Sequence, residues 1–167
     1  MIMPTLIKPN ELKFTENKSD VSEFKWHTCI PRLAELTGSK HMIFDIRSLD
    51  PGKYSYPYHF HLYSEELFVI FSGSATLRSP EGLQILDQGD VVFFEMGETS
   101  AHQLYNHTEA VCVYLDIRTN IGFDVTEYPD SGKINFYPDF GIYEKQSKVD
   151  YFKGEEKVKD IWEDLKK

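Results

Sequence analysis

The chain has 167 residues, 41% hydrophobic and 14% aromatic, with 18 Lys+Arg against 27 Asp+Glu and a formal net charge of −9. One packed core fits that size and composition, and the acidity argues against nucleic acid or an anionic membrane as partner, because both need a positive surface. Cys29 and Cys112, the only two cysteines and without CxxC spacing, exclude a disulfide framework or a zinc-thiolate site as organising principle.

No run approaches the roughly 20 apolar residues of a membrane helix. The first eight residues lack the charged-then-apolar layout of a signal peptide. Both cysteines read as small buried apolar residues in a reducing cytosol, so a cytoplasmic protein is expected.

In chain order, Asp20-Val21-Ser22-Glu23 has capping-box spacing, and residues 31–36 read as a short helical turn stopped by Gly38. Residues 41–49 alternate, with Met42, Phe44 and Ile46 on one face and Asp45 and Arg47 on the other. Asp50-Pro51-Gly52 then forms a turn. Strand-like runs follow at 57–62, 66–72, 75–78, 83–86, 91–95, 102–105 and 110–118, separated by clusters of Gly, Ser, Asp, Asn and Pro. Twelve Phe and ten Tyr favour strands further. Short strands with regular turns and no crossover helix predict an antiparallel all-β sandwich or barrel. Residues 119–153, rich in Tyr, Phe, Pro and Gly, read as extended segments wrapping that barrel. From about 154, Val158, Ile161, Trp162 and Leu165 recur at i, i+3, i+4, i+7, with acids before and lysines after them. That pattern predicts one amphipathic C-terminal helix, packed on the barrel or on a second subunit.

Chemistry concentrates in the middle of the chain. His59 and His61 form an HxH pair, and on a strand both side chains point the same way. Glu66 opens the next apolar run, and His102 lies on a later one. Three imidazoles and a carboxylate converging inside a barrel make a mixed N/O site for one divalent transition metal, Mn, Fe, Co, Ni, Cu or Zn, rather than Ca or Mg. Glu65 competes with Glu66 for the carboxylate role.

The stretch Gly52-x6-His59-x-His61-x4-Glu66-x6-Gly73 closely resembles the first signature of the cupin superfamily, and Gly89-x5-Glu95-x-Gly97-x4-His102-x3-Asn106 approaches the second. Glu66 fits both gaps of the first signature; Glu65 does not. The resemblance implies a double-stranded β-helix, the jelly roll, with short N-terminal helical turns and one domain spanning 1–167. Its barrel core would span about 40–118, followed by a C-terminal wrap and helix. It also implies the ligand set His59, His61, Glu66 and His102. The flanks, with Ser64-Glu65-Glu66 leading into a strand and VYLDIRT later, are similar to small single-domain bacterial cupins described as sugar-phosphate-isomerase-like. Two departures stand out. Glu95 occupies the position usual for Pro, and the gap from Gly97 to His102 is longer than the common form, which enlarges a loop at the barrel mouth.

Four ligands on an octahedral ion leave two positions for a substrate with adjacent oxygens. That suits an isomerase or dioxygenase acting on a small oxygen-rich or carbohydrate-like molecule; the alternative is a metal-stabilised binding or sensing domain without turnover. Phe68, Ile70 and Leu104 share the parity of the ligands and predict an aromatic and aliphatic pocket wall, with Arg47, Tyr56 and Tyr58 as polar candidates. Asn106 reads as a turn residue, Glu95 as a solvated one, and His27, His41 and His107 fall outside the pattern. Exposed jelly-roll edges, covered by the N-terminal segment and residues 119–150, suggest a homodimer.

Overall fold

The computed structural model describes residues 4–139, 141–145 and 150–164. In chain order the elements are β1 (Phe14–Glu16), β2 (Trp26–Cys29), α1 (Leu33–Thr37), β3 (Met42–Leu49), β4 (Phe60–His61), β5 (Glu66–Ser72), β6 (Ser74–Ser79) and β7 (Gly82–Asp87). They continue with β8 (Val91–Phe94), β9 (Gln103–Tyr105), β10 (Cys112–Thr119), β11 (Asp124–Tyr128), β12 (Lys133–Tyr137), β13 (Gly141–Glu144) and α2 (Val158–Asp164). The expected all-β jelly-roll class is found. Its strands hydrogen-bond as three sheets, β1-β2-β3-β10-β5-β8, β13-β12-β11-β4 and β7-β6-β9, rather than as one closed barrel.

Alternation in the strands builds the core. Phe68 and Ile70 of β5, Cys112 and Tyr114 of β10, Leu49 of β3 and Leu104 of β9 form one buried cluster between the sheets. The face of β3 that carries charge is the face turned inward: Asp45, Arg47 and Leu49 are buried, while Met42 is exposed. Buried charge is tolerable only when satisfied, and here it is. Asp45 accepts from the Thr28 hydroxyl and from the backbone N–H groups of Cys29 (3.2 Å) and Leu33 (3.4 Å), while Arg47 Nε donates to Asp116 Oδ2 at 2.6 Å. Asp45 thereby pins β2 and the start of α1 against the sheet, and α1 ends on Gly38 in the left-handed region, φ 64°.

Three expectations are corrected. Residues 20–23 form a turn, not a helix start, because the Ser19 hydroxyl accepts from the Val21 N–H (3.1 Å) and bends the chain locally. The run at 57–62 shortens to β4, since Pro57 has no N–H to donate and His59 pairs with His102 instead. The expected C-terminal helix is present as α2, but its apolar stripe does not pack on the barrel: Val158, Ile161 and Trp162 are 50–62% exposed. Leu165 lies outside the described residues. Residues 119–144 contribute the β11–β12–β13 meander, which pairs with β4 and so reaches the His61 strand.

Candidate metal centre

Backbone pairing brings the four histidine and glutamate positions to one place. His59 and His102 exchange both main-chain hydrogen bonds, at 3.2 and 2.8 Å. The long loop after Gly97 is tied at its other end by Gly97 N–H to His61 C=O, 2.8 Å. Its extra length therefore forms a 3-10 turn over Glu98–Ser100 without displacing His102. Glu66 opens β5, which β10 joins to β3. His59, His61 and Glu66 present ligand atoms that all lie within 4.8 Å of one another. His102 Nε2 is 3.0 Å from Glu66 Oε2, and His61 Nε2 is 3.5 Å from the same oxygen. All four side chains are buried.

The hydrogen bonds fix which imidazole nitrogen faces inward. His59 Nδ1 donates to Pro57 C=O (2.8 Å) and His102 Nδ1 to Ser100 C=O (2.9 Å); a carbonyl only accepts, so the protons sit on Nδ1. His61 Nδ1 donates to the Asp124 carboxylate at 2.6 Å. That leaves Nε2 of each ring as the acceptor nitrogen, unpartnered in His102 and met by Arg118 Nη1 at 3.4 Å in His61. Fixing the ring through Nδ1 is the arrangement that orients metal-ligating histidines. The His102 ring is also clamped, stacked on Phe94 at 3.8 Å between centroids and met edge-on by Phe68 at 5.4 Å.

One contact is unsatisfied. Glu66 Oε2 and His102 Nε2 are both buried and neither has a hydrogen-bond partner, although they face each other at 3.0 Å. Two lone pairs at that distance repel, and burial removes the water that would separate them. A shared cation relieves the conflict. Donors about 2.1 Å from one ion stand roughly 3 Å apart when set at right angles, so the residues present fit a divalent transition metal.

Electrostatics agree with that fit. Burial, reinforced by His102 and His61, pushes His59 down to about 3, so it is a neutral donor at ordinary pH. Burial pushes Glu66 up, but the surrounding His102, His61 and His59 outweigh it and hold the carboxyl well below its usual range. Cys29 and Cys112 are buried thiols pushed up to about 12 and about 11, mainly by desolvation, and carry no nucleophilic role.

The cavity above these residues has a volume of about 230 Å³. Its wall corrects the expectation of an apolar lining. Phe68, Ile70 and Leu104 belong to the core beneath, and the cavity is lined instead by Arg32, Arg47, Tyr56, Asp116, Arg118 and Asn135, among others. Tyr58 faces a separate groove. Asp116 sits beside Glu66 and is pushed up to about 6, chiefly by burial, against the pull of Arg47. Sequence reasoning missed Asp116, Asp124 and Arg118. The signal for Asp116 was its parity with Cys112 and Tyr114; nothing marked Asp124, which acts from a strand outside both signatures. Asn106 is fully buried and fastens the fold: its Nδ2 donates to Leu49 C=O (2.9 Å) and Ala110 C=O (2.7 Å). Glu95 and His107 are exposed, and His27 pairs with Asp50 at 3.1 Å.

Comparison with known proteins matches this geometry. Residues 46–118 match the family model of the cupin domain, whereas no curated protein matches the chain. Among solved structures, a candidate sugar phosphate isomerase from Acidithiobacillus ferrooxidans is 25% identical, with TM-score 0.73 over 83% of this chain and 89% of that one. A sugar phosphate isomerase of the cupin superfamily from Silicibacter pomeroyi is 22% identical, with TM-score 0.68 over 75% and 81%. A predicted oxalate decarboxylase from Thermotoga maritima is 19% identical, with TM-score 0.57 over 69% and 98%; at such identity the last two speak to the fold. With His59, His61 and Glu66 gathered in one buried cluster inside the matched stretch and the jelly roll in place, residues 46–118 form a cupin domain.

Proposed function

We propose that His59, His61, Glu66 and His102 bind one divalent transition-metal ion and that the protein is a metal-dependent enzyme of isomerase type, acting on a small, oxygen-rich, carbohydrate-like molecule. The facing lone pairs of Glu66 Oε2 and His102 Nε2 carry this reading. The name of the Acidithiobacillus relative supports the substrate class. A bound ion supplies Lewis-acid polarisation of substrate oxygens. The chain supplies the rest. Pro57, Ser100 and Asp124 hold the three rings in aim, and Arg47 holds Asp116 at the cavity wall. Asp116 is the one carboxylate besides Glu66 among the described lining residues and takes or returns the proton that isomerisation moves. A binding or sensing role without turnover would use Asp116 only as the counter-ion of buried Arg47.

The proposal extends to one domain over residues 1–167, to a homodimer and to a cytosolic setting, the last supported by two free buried cysteines. No helix among the described residues is long and apolar enough to cross a membrane.

The test is metal analysis after dialysis from a mixture of Mn, Fe(II), Ni and Zn. Wild type is expected to retain about one ion per chain. His61→Ala is expected to lose it while keeping its strand-dominated circular dichroism. His107→Ala, whose imidazole meets only the exposed Thr76 hydroxyl, is expected to match wild type. Equal retention by both variants overturns the ligand set.

A further inference from the structure

The chain is acidic overall, yet its cations are not spread evenly. Of its four arginines, Arg32, Arg47, Arg78 and Arg118, three line the cavity above the candidate metal centre, and no lysine does among the described residues. Arginine is the side chain whose planar fork matches carboxylate and phosphate oxygens, so this selection points to an oxyanion.

The three differ in how far they are already engaged. Arg47 is buried and committed, bonded through Nε to Asp116 and through Nη1 to the Thr28 hydroxyl at 3.0 Å. Arg118 lies against the His61 ring, with Nη1 3.2 Å from Nδ1, and is only loosely answered by Asp124 at 3.7 Å. Arg32, in the β2–α1 connection, accepts the Leu36 N–H on its backbone carbonyl (2.9 Å), but its guanidinium has neither a hydrogen bond nor a carboxylate partner among the described residues. On the same wall, Asn135 Oδ1 is buried without a donor. A ligand carrying both an oxyanion and a hydroxyl answers every one of these vacant groups. Charge narrows the oxyanion. With a divalent ion against Glu66, and Arg47 and Arg118 matched by Asp116 and Asp124, about two positive charges remain, the complement of a phosphate monoester near neutral pH.

We propose that Arg32 and Arg118 form a phosphate subsite at the mouth of the metal cavity, with Asn135 accepting from a hydroxyl of the same substrate. The assignment rests on the metal reading above for its charge balance, but its residues can be tested separately. Arg32 lies upstream of the stretch that matches the cupin domain, so the subsite joins a segment outside that stretch to a residue at its C-terminal end.

Calorimetry with glycerol 3-phosphate, D-glycerate and glycerol tests it on metal-loaded and metal-free protein, with metal content measured in every sample. Glycerol 3-phosphate is expected to bind most tightly. Arg32→Gln is expected to weaken it about tenfold or more, the scale of one charge-assisted hydrogen bond, with unchanged metal content; Arg32→Lys should recover part of the loss. Arg118→Gln is expected to weaken it by a similar factor. Lys40→Gln, which changes net charge equally from an exposed position off the cavity, should leave the affinity as it is. Equal affinity of Arg32→Gln and wild type overturns the subsite while leaving the metal reading intact. Tighter binding of D-glycerate overturns the phosphate assignment. A wild type that takes up no metal overturns the metal reading, and the Arg32 comparison is then decided on the metal-free protein.

Discussion

His61 Nδ1 and Asp124 Oδ2 lie 2.6 Å apart across a sequence separation of 63 residues, both side chains buried. The contact exists because β11 pairs with β4, placing Thr126 opposite His61 and Asp124 at the strand's start. Asp124 also accepts the Tyr63 N–H at 3.0 Å, so its carboxylate is itself held. It fixes the His61 tautomer and raises the basicity of Nε2. Asp124→Asn keeps the size but removes the charge. It is expected to weaken metal affinity by about tenfold or more with little change in the urea midpoint. Competition with a chelator of known affinity measures it, and an affinity equal to wild type removes the orienting role.

Acid should act on the metal-free protein through two groups of opposite sign. His59 is pushed from its ordinary 6.5 down to about 3, chiefly by burial and then by His102 and His61. Over that interval the unfolded chain binds the proton that the folded chain refuses. Stability is therefore full above about 6.5 and lost as pH falls toward 3. Asp116 is raised from 3.8 to about 6 by burial, so the folded chain binds its proton first and loses stability as pH rises through that window. Urea midpoints measured from about pH 4 to 7 should fall on acidification less steeply in His59→Gln than in wild type, and more steeply in Asp116→Asn. Parallel curves for all three proteins would remove both groups as the source of the acid response.

The cupin core was legible because its information is local. Period-2 alternation marked β5, β6, β7 and β10 to within a residue or two, and the ligand residues follow from strand parity and gap length. What escaped depends on pairing between distant strands. Arg47 and Asp45 look like a solvent face of β3 until Asp116 and Thr28 arrive from elsewhere to satisfy them. Asp124 gains its role only when β11 meets β4, and the polar cavity wall is drawn from β3, β10, β12 and the β2–α1 connection. Periodicity also located the C-terminal helix but not its packing: the apolar stripe has the right spacing, and Val158, Ile161 and Trp162 lie exposed.

Gly73 joins β5 to β6 with φ 77°, and a Cβ there would lie 2.6 Å from Val111 C=O and 3.0 Å from Cys112 Cα. Both obstacles are backbone of the neighbouring chain segment and cannot step aside cheaply. Gly89 has a comparable φ of 94° but open space around it. Gly89→Ala therefore isolates the backbone strain, about 1–2 kcal/mol, and Gly73→Ala is expected to lose clearly more. Denaturant midpoints compare the two, and equal losses would mean that the close approach to Val111 carries no cost.

The last expectation concerns association. The N-terminal hairpin β1–β2 covers β3, and the β11–β13 meander covers β4, so the chain hides those edges itself. β1, β4, β9 and β13 are outer strands too, but β7 and β8 are outer strands of their sheets that follow one another in sequence through a short turn, and together they expose Leu83 (73%), Ile85, Val91 and Phe93. An uncovered edge with apolar side chains invites pairing with another copy. The net charge of −9 on each chain opposes association and is screened as salt rises, so a dimer held by this apolar surface should tighten with salt. Light scattering at micromolar concentration is expected to give twice 19.5 kDa. Ile85→Lys with Phe93→Lys, both at exposed positions, should give a folded monomer that still retains metal. A wild type that stays monomeric at high salt removes the interface, and a double variant that remains dimeric moves it elsewhere on the surface.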